Sequence, residues 1–424
     1  MNAPRIDERP TVAVIGLGYI GLPTAAILAS TGADVIGVDI NPENVAVINK
    51  GEVPFVEPDM ATTVAGVVSQ GFLRATTETP HADNYIVAVP TPFTARHEPD
   101  LSYIETAGKQ IAPLLSGDEL IILESTSPPG ATEFLARTVL SVRPDLTLEP
   151  GTPSSVYFAH CPERVLPGRI MIELRTNDRI VGTLNGNAGE RARDLYRLFC
   201  EGEFLMTDAR TAELSKLAEN AYRDVNIAFA NELSMIADSL DINAWDLIDL
   251  ANHHPRVNIL QPGPGVGGHC IAVDPWFIVA ASPKHSALIK TARQVNDSKP
   301  QFVIDKLLEQ AKRITNVKIA TLGLAFKPNI DDLRESPSRK IVHQLSVELP
   351  DATIMAVEPN IEDLPPDLAA RDNVTLGELV QSVENADIVL LLVDHDEFAR
   401  LDRSLIADKI VHDTRGLWDK VTAD

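Results

Sequence analysis

The hydrophobic residues of the N-terminal part of the chain form short runs separated by polar turns. Four of these runs are Thr11–Ile15, Asp34–Val38, Asn84–Val89 and Leu120–Leu123. Apolar runs of this length are typical of strands buried on both faces of a parallel sheet. A longer apolar stretch continues to about Ser30 and predicts a helix between the first two strands. The alternation predicts a doubly wound α/β domain.

The last hundred residues repeat this pattern in degenerate form. The runs Lys318–Leu322, Thr353–Val357 and Lys409–His412 read as buried strands. Asn385–Val393 matches His81–Val89 of the first domain. Because self-similarity of this kind indicates a repeated unit, the sequence predicts a second doubly wound, Rossmann-like domain.

A helical segment separates the two repeats. Apolar residues recur at spacings of three and four from about Ala209 to Leu240, without Gly or Pro, and predict a helix of about 45 Å. A further helix is predicted near Pro300–Arg313. A helix as long as the first typically bridges domains or joins subunits, so we expect a homodimer or a dimer of dimers. The predicted segments are a flexible N-terminus (1–10), a first α/β domain (11–205), a helical middle (206–312) and a second α/β domain (313–424).

Composition narrows the possible classes of function. The chain has 424 residues, 44% hydrophobic and 23% charged, which suits a soluble globular protein of two or three domains. Its net charge of −23, without a basic tract, argues against nucleic acid and anionic membranes as partners. Glycines and a proline interrupt the apolar stretch Thr11–Ala33, which favours strand–turn–helix over a membrane span. Three sparse cysteines and an N-terminus without an apolar core predict a reducing, cytoplasmic location.

A glycine motif follows the first predicted strand. Gly16-Leu17-Gly18-Tyr19-Ile20-Gly21 lies between strand and helix, and Asp39 ends the next strand. Together they form the dinucleotide-binding fingerprint, in which Gly16, Gly18 and Gly21 let the backbone approach the pyrophosphate. Asp39 is placed to accept both ribose hydroxyls, and its charge would repel a 2′-phosphate. Ile40-Asn41 supply no arginine, so the predicted cofactor is NAD rather than NADP.

Three further segments carry polar residues in turns. Thr91 and Thr126 follow two predicted strands and share one sheet edge, where ligands bind in α/β domains, although ordinary turn chemistry would also explain them. Glu163 and Arg164 lie in a loop bounded by Pro and Gly, for which a solvated turn is the alternative.

The most unusual stretch is Gln261–Asp274, which contains four glycines and two prolines within eight residues. This composition forbids a regular helix or strand and builds a loop that can approach a ligand closely. Cys270 lies two residues after the last of these glycines, with Asp274 four residues on, and is a candidate nucleophile with an acid/base neighbour. The alternative is a surface turn followed by a buried, inert cysteine.

Polar residues elsewhere form two further candidate groups. Lys216, Asn220 and Arg223 lie on one face of the long helix, for which a solvated face is the usual explanation. In the second repeat Phe326, Lys327 and Arg415 replace the glycine motif at the strand ends, which suggests a phosphate-bearing ligand other than the dinucleotide. His253-His254 have no carboxylate or cysteine at ligand spacing, so no metal site is predicted.

These motifs together resemble the UDP-glucose/GDP-mannose dehydrogenase family of nucleotide-sugar 6-dehydrogenases. The resemblance covers essentially the whole chain and rests on GLGYIGLP, ESTSPPGAT, CPERVLPG, KLAENAYRDVNIAFANE, HPRVNILQPGPGVGGHCIAVDPWF and GLAFKPNIDDLRESP. It implies oxidation of a sugar C6 alcohol to a carboxylate with two NAD.

The resemblance also implies roles for individual residues. Lys216 acts as acid/base or stabilises the alkoxide in the first oxidation, and Cys270 captures the aldehyde as a thiohemiacetal. Asp274 positions or deprotonates groups at this centre, Asn220 donates to the oxyanion and Glu163 activates water. The implied cofactor residues are Gly16, Gly18, Tyr19, Ile20, Gly21, Asp39, Thr91, Thr126 and Arg334. The implied substrate residues are Arg164, Val165, Lys216, Asn220, Arg223, His254, Arg256, Gly267, Phe326, Lys327 and Arg415.

Within the family, the Gly-Gly-His-Cys loop with Val273 before Asp274 resembles that of members acting on UDP-N-acetylhexosamines. The Pro-Arg-Val-Asn-Ile-Leu segment before it favours UDP-N-acetyl-D-mannosamine as the substrate, with UDP-N-acetylglucosamine or UDP-glucose as alternatives. Two other classes are a simple two-electron dehydrogenase, which needs no cysteine, and a non-catalytic NAD-binding sensor.

Overall fold

The computed structural model describes residues 9–55, 57–94, 97–166, 168–268 and 270–418. Most of the predicted flexible N-terminus, residues 1–8, lies outside these ranges. The strands are β1 Thr11–Ile15, β2 Asp34–Val38, β3 Leu73–Thr76, β4 Asn84–Val87, β5 Leu120–Leu123, β6 Tyr157–His160, β7 Arg179–Thr183, β8 Phe204–Asp208, β9 Lys318–Leu322, β10 Thr353–Val357, β11 Val374–Leu376, β12 Ile388–Leu391 and β13 Ile410–Asp413. The helices are α1 Gly21–Ser30, α2 Pro42–Asn49, α3 Met60–Ser69, α4 Ser102–Ile111, α5 Ala131–Val142, α6 Ile170–Thr176, α7 Ala188–Tyr196, α8 Ala209–Ser239, α9 Ala244–Asn252, α10 Asp274–Ala281, α11 Ala287–Ala311, α12 Pro337–Glu348, α13 Pro366–Ala369, α14 Leu379–Asn385 and α15 Asp396–Ala399.

The first sheet has eight strands in the order β3-β2-β1-β4-β5-β6-β7-β8, all parallel except the β6–β7 pair. Alternate residues of β1 enter separate cores, Val12 and Val14 on one face and Ala13 and Ile15 on the other. Burial on both faces explains why the strands read as continuous apolar runs. The predicted doubly wound domain is confirmed.

The second sheet repeats the central strand order of the first. Its five parallel strands run β11-β10-β9-β12-β13, which matches β3-β2-β1-β4-β5. The residues Ile319 and Leu390 lie in one core, and Ala320 and Val389 lie in the other, on the opposite face. The second Rossmann-like domain is therefore also confirmed, with strand ends that differ from the prediction by a few residues.

The long predicted helix is confirmed as α8, with 31 residues from Ala209 to Ser239. The predicted start of the other helix at Pro300 is wrong, because α11 begins at Ala287 and carries Pro300 in its interior. A proline inside a helix removes one backbone hydrogen bond and costs about 3 kcal/mol. Tertiary contacts outweigh this cost, since Arg293 and Asn296 of α11 are buried and both bond the Asp224 carboxylate of α8.

The chain divides into two compact units, residues 1–218 and 219–424, and the division falls within α8. The boundaries of the three predicted domains remain a prediction. Among the residues described, none of the helices is both long and apolar enough to cross a membrane.

Candidate active site

The glycine motif of the first unit is built for close backbone approach. Gly16 has a φ of +94°, which glycine adopts readily. A Cβ on Gly21 would lie 1.9 Å from the Gly16 carbonyl oxygen, so the first turn of α1 packs directly on the loop. A Cβ on Gly18 would meet nothing within 4 Å, which leaves this side of the loop open to a ligand. The Tyr19 hydroxyl donates to Glu57, which also accepts the Gly168 N–H.

Asp39 connects the end of β2 to this loop. Its carboxylate accepts the Leu17 N–H at 3.1 Å through one oxygen and the Asn41 N–H at 2.8 Å through the other. A carboxylate offers about four lone-pair sites, so two remain for ribose hydroxyls. The open glycine and the half-exposed acid fit the adenosine half of NAD.

We expect NAD to exceed NADP in kcat/KM by at least about tenfold, or about 1.4 kcal/mol, because the Asp39 charge repels a 2′-phosphate. Steady-state kinetics with both cofactors measure this ratio. Asp39→Asn removes the charge and keeps an oxygen for the Leu17 N–H, so it should narrow the ratio. The control is Asp34→Asn, at the start of β2, where Asp34 forms an exposed ion pair with Arg74 of β3. Equal efficiency of the two cofactors in the unaltered protein would disprove the expectation.

The loops after β4 and β5 meet at one sheet edge. The Thr91 hydroxyl donates to the Thr126 carbonyl oxygen, and Ser125 Oγ donates to the Val89 carbonyl oxygen at 2.7 Å. Buried Glu213 of α8 accepts the Thr132 N–H at 2.7 Å and so ties the long helix to the start of α5. The structure thus brings the two predicted threonines together at the edge where the cofactor fingerprint lies.

A buried charge cluster lies beneath the loop that carries Glu163, Arg164 and Val165. Glu163 is only 9% exposed, and its carboxylate binds Arg179 Nη2 at 2.9 Å and the Arg164 N–H at 2.7 Å. It is therefore not in a solvated turn. The Tyr196 hydroxyl donates at 3.0 Å to Glu124, another buried carboxyl group.

The sequence did not single out Arg179 or Glu124. Arg179 follows Asp178 at the start of an ordinary strand, and only its complete enclosure distinguishes it. Burial and, to a smaller extent, the nearby Glu163 carboxylate raise the pKa of Glu124, Arg179 lowers it, and the net result is a pKa of about 8. At neutral pH the cluster therefore holds Arg179 as a cation, with Glu124 protonated.

The raised pKa of Glu124 makes folding stability depend on pH. The folded state keeps this proton up to about pH 8, whereas the unfolded state releases it near 4.5, so stability is lost as the pH rises between these values. The slope from this one group is at most about 1.4 kcal/mol per pH unit. Glu124→Gln should remove this pH dependence, so the Tm of the variant relative to that of the unaltered protein should increase as the pH rises from 6 to 8. Parallel Tm curves would contradict this expectation, and exposed Glu105→Gln is the control.

The glycine-rich loop of the second unit ends in an exposed thiol. Cys270 is exposed, whereas Cys161 and Cys200 are buried. Its carbonyl oxygen accepts the Asp274 N–H at 2.9 Å, so the chain turns from the thiol directly into α10. The alternative of a buried structural cysteine is therefore wrong for Cys270.

Asp274 and the thiol loop are both anchored on α8. Asp274 is 3% exposed, and the Asn220 side-chain amide donates to its carboxylate at 2.5 Å. Asn231 accepts the Gly263 N–H at 2.9 Å and so ties the start of the loop to the same helix. The sequence analysis missed Asn231. Its spacing of 11 residues from Asn220, three helical turns, was the available signal.

The predicted polar stripe on α8 is not a uniformly solvated face. Lys216 is only 8% exposed, Asn220 is half-buried and Arg223 is exposed. Lysine side chains are rarely buried this deeply, and one on a solvated helix face would be exposed. Burial therefore favours the functional interpretation for Lys216 and leaves Arg223 undecided.

The predicted substrate residues of the second unit converge only in part. A Cβ on Gly267 would lie 2.7 Å from Phe326 Cβ, and a Cβ on Gly263 would lie 2.5 Å from Arg415 Nη1, so both loop glycines give room to these side chains. Arg415 also binds Asp394 at 2.8 Å. Lys327 is half-buried.

The remaining predicted residues of the second unit are exposed. The Arg334 guanidinium lies on the Asp332 carboxylate, and His254 Nδ1 accepts the Arg256 N–H at 3.3 Å. Within the described ranges, no group of three or more His, Cys, Asp or Glu side chains is arranged to hold a metal ion.

Comparison with known proteins agrees with this geometry. The chain matches the UDP-glucose/GDP-mannose dehydrogenase family in its NAD binding domain over residues 10–200, its central domain over 210–298 and its UDP binding domain over 320–420. It is 55% identical over 97% of both chains to an NDP-N-acetyl-D-galactosaminuronic acid dehydrogenase from Ralstonia nicotianae. It is 52% identical to the UDP-N-acetyl-D-mannosamine dehydrogenase of Escherichia coli, over 96% of this chain and 99% of that one.

Solved structures give the same result. The UDP-D-ManNAc dehydrogenase from Pyrococcus horikoshii superposes with a TM-score of 0.84 at 37% identity, over 96% of each chain. Its match extends over both α/β domains and the helices between them. The chain therefore belongs to the UDP-glucose/GDP-mannose dehydrogenase family and is an NAD-dependent nucleotide-sugar dehydrogenase.

Proposed function

We propose that this protein oxidises the C6 hydroxyl of UDP-N-acetyl-D-mannosamine to a carboxylate and reduces two NAD per sugar. The observation that carries the proposal is the exposed Cys270, presented by a glycine turn and followed by the buried Asp274–Asn220 pair. A simple two-electron dehydrogenase has no use for such a thiol. The activity suits a cytoplasmic enzyme that supplies an acidic sugar for a surface polysaccharide.

The thiol divides the reaction into two oxidations. NAD, when bound, takes up a hydride in each of them. After the first, the Cys270 thiolate adds to the aldehyde carbon and forms a thiohemiacetal. Loss of hydride from that carbon leaves a thioester, and attack by water expels the thiolate and gives the carboxylate. Covalent attachment keeps the aldehyde from leaving before it is oxidised.

Four further side chains are proposed to supply the proton transfers and the charge stabilisation. Lys216 takes the C6 hydroxyl proton or stabilises the alkoxide, a role that its burial strengthens because charges interact more strongly away from water. An amide carries two N–H donors, and Asn220 gives one to Asp274, so the second remains for the oxyanion. Asp274 orients Asn220 and assists proton transfer at the thiol. Glu163, held by Arg179, is the proposed activator of water in the second step.

The two α/β domains divide the binding. Residues 11–205 hold NAD through the glycine motif, Asp39, Thr91 and Thr126, and residues 313–424 hold the UDP-sugar, with the helical middle (206–312) between them in sequence. Arg334 is proposed to contact NAD from the second domain. The basic residues proposed to bind the anionic diphosphate and the sugar are Arg164, Arg223, His254, Arg256, Lys327 and Arg415.

The sugar epimer is tested by a panel of substrates. Purified protein is assayed with UDP-N-acetyl-D-mannosamine, UDP-N-acetylglucosamine, UDP-glucose and UDP-N-acetylgalactosamine, and the NADH formed per sugar is counted. We expect two NADH from the mannosamine derivative and the highest kcat/KM for it. The similarity to an NDP-N-acetyl-D-galactosaminuronic acid dehydrogenase makes an N-acetylgalactosamine derivative the second candidate. One NADH per sugar would indicate a two-electron enzyme, and none with any sugar a sensor.

An apolar stripe on α8 supports a homodimer, or a multiple of one. Tyr222, Phe229 and Ile236 are spaced by seven residues, so they share one helix face, and they are 70%, 51% and 48% exposed. We expect a dimer by light scattering at micromolar concentration, because a self-complementary contact would cover this stripe. Phe229→Glu should weaken the dimer by at least about tenfold in Kd, whereas Leu250→Glu, an exposed apolar residue on α9, should not. A monomeric unaltered protein would refute the proposal.

A further inference from the structure

The second α/β domain contains a buried counterpart of Asp39. Glu358 follows β10 as Asp39 follows β2, and its carboxylate accepts the Leu324 and Ala325 N–H groups at 2.8 and 3.0 Å. The equivalent contact in the first domain is the Leu17 N–H to Asp39. Glu358 is only 4% exposed, whereas Asp39 is half-exposed. A carboxylate enclosed in this way is not available to a ribose.

His395 is a further buried partner of the Glu358 carboxylate. It is 1% exposed, and its Nε2 lies 3.1 Å from the Glu358 carboxylate. Its Nδ1 accepts the Asn329 N–H at 2.9 Å, so Nε2 carries the proton and donates to Glu358. Burial alone would raise the pKa of Glu358, but the hydrogen bonds from His395 and from the Leu324 and Ala325 N–H groups leave it below its usual range.

The two residues hold a single loop at both of its ends. Glu358 binds the N–H groups at positions 324 and 325, and His395 binds the N–H at position 329, where the backbone is left-handed with a φ of +60°. An asparagine tolerates this conformation better than most residues, and its side chain in turn accepts the Asp396 N–H at 3.1 Å. Phe326 and Lys327 lie between the two anchored ends.

The anchored loop packs on the turn that precedes the thiol. A Cβ on Gly267 would lie 2.7 Å from Phe326 Cβ, and one on Gly268 would lie 3.2 Å from the Phe326 ring. The Phe326 side chain thus limits where this glycine pair can lie. A shift of residues 326–327 would therefore also shift the segment that presents Cys270.

From these contacts we infer that Glu358 and His395 are a positioning pair that fixes loop 324–329 for binding of the nucleotide sugar. In the second domain the pair stands where the first domain has the carboxylate proposed to bind ribose. It holds the loop from inside the protein and so positions Phe326 and Lys327 to bind the UDP moiety. The assignment of Phe326 and Lys327 rests on the proposed function. The pair does not touch substrate, so its loss should weaken UDP binding without changing the affinity for NAD.

The experiment measures binding of UDP and of NAD separately, by calorimetry on the full chain. His395→Leu fills the buried site with an apolar side chain and removes the hydrogen bonds to Asn329, Glu358 and Asn360. The Kd for UDP should therefore rise by about tenfold or more, while that for NAD stays within about twofold. In turnover, KM for the sugar nucleotide should rise more than kcat falls. His343→Leu, on α12 of the same domain, should change neither affinity.

Two conservative variants keep the proposal testable if His395→Leu does not fold. His395→Asn places an oxygen where Nδ1 accepts the Asn329 N–H, and His395→Gln places an amide N–H where Nε2 donates to Glu358. Each should restore part of the UDP affinity, because each retains one of these two contacts. Unchanged UDP affinity in all three folded variants, or an equal loss of UDP and NAD affinity, would overturn the proposal.

UDP alone is the probe, so this result is separable from the sugar assay. If the unaltered protein binds UDP but oxidises none of the N-acetylhexosamine derivatives, the proposed function fails and the positioning role can still be measured. If it oxidises the sugar and the variants bind UDP normally, the proposed function stands and the positioning role is wrong.

Discussion

Cys270→Ala is expected to lower the rate of carboxylate formation by at least about a thousandfold, because it removes the only group proposed to hold the aldehyde covalently. At most a slow oxidation that yields one NADH per sugar should survive. UDP and NAD should still bind, since the glycine motif and the basic side chains are unchanged. The measurement is single-turnover counting of NADH together with mass spectrometry of the sugar product.

Cys270→Ser tests whether the reactivity of the thiol matters, because serine is similar in size to cysteine but is a weaker nucleophile. A serine hydroxyl can add to the aldehyde, but its ester lacks the thioester's reactivity, so the enzyme should stall covalently or release aldehyde. The control is Cys200→Ala, which removes a buried thiol outside the proposed site and should keep two NADH per sugar. If Cys270→Ala still makes two NADH per sugar at nearly the original rate, the covalent mechanism is wrong for this protein.

Alkylation supplies an independent measurement of the same thiol. Cys270 is exposed, while Cys161 is enclosed and burial raises the pKa of its thiol to about 12. Because the thiolate is the reactive form, limited iodoacetamide treatment at neutral pH should modify Cys270 first, and bound UDP-sugar should protect it. Preferential modification of either buried cysteine would contradict the assigned exposure.

Lys216→Ala is expected to lower kcat for the alcohol substrate by about a hundredfold to ten-thousandfold, the usual range for loss of a positioned acid/base group. The effect should fall on the first oxidation, because Lys216 is proposed to act on the C6 hydroxyl. When the C6 aldehyde of the UDP-sugar is supplied directly, the variant should form its single NADH far closer to the normal rate. Stopped-flow NADH absorbance with each substrate separates the two steps.

A structural role for Lys216 would give a different result. It is buried in the long helix, so a mere packing defect would lower Tm and slow both oxidations alike. Lys216→Met keeps most of the side-chain volume without the amine and should match Lys216→Ala in rate if the amine is what matters. Ala218→Ser, at an exposed position on the same helix, is the control for disturbance of α8.

Much of the fold was predictable because its signals are local. Apolar runs of four or five residues mark strands buried on both faces, and the glycine motif with Asp39 marks a dinucleotide loop, since both depend on residues close in sequence. The start of α11 was not predictable in this way. Pro300 is usually a helix boundary, and only the Asp224–Arg293 and Asp224–Asn296 contacts, between residues distant in sequence, carry the helix through it.

The two α/β repeats, the long helix, the NAD fingerprint and the candidate residues of the thiol loop can all be predicted from the sequence. Which of these side chains are enclosed is evident only in the folded protein. Cys270 is exposed, whereas Cys161 and Lys216 are buried. Glu124 is buried beside Arg179, and its raised pKa keeps it protonated at neutral pH. Glu358 is buried and bonded to His395, whereas its counterpart Asp39 is half-exposed. The physical reason is that exposure, partner and proton affinity depend on groups that folding brings together from distant parts of the chain.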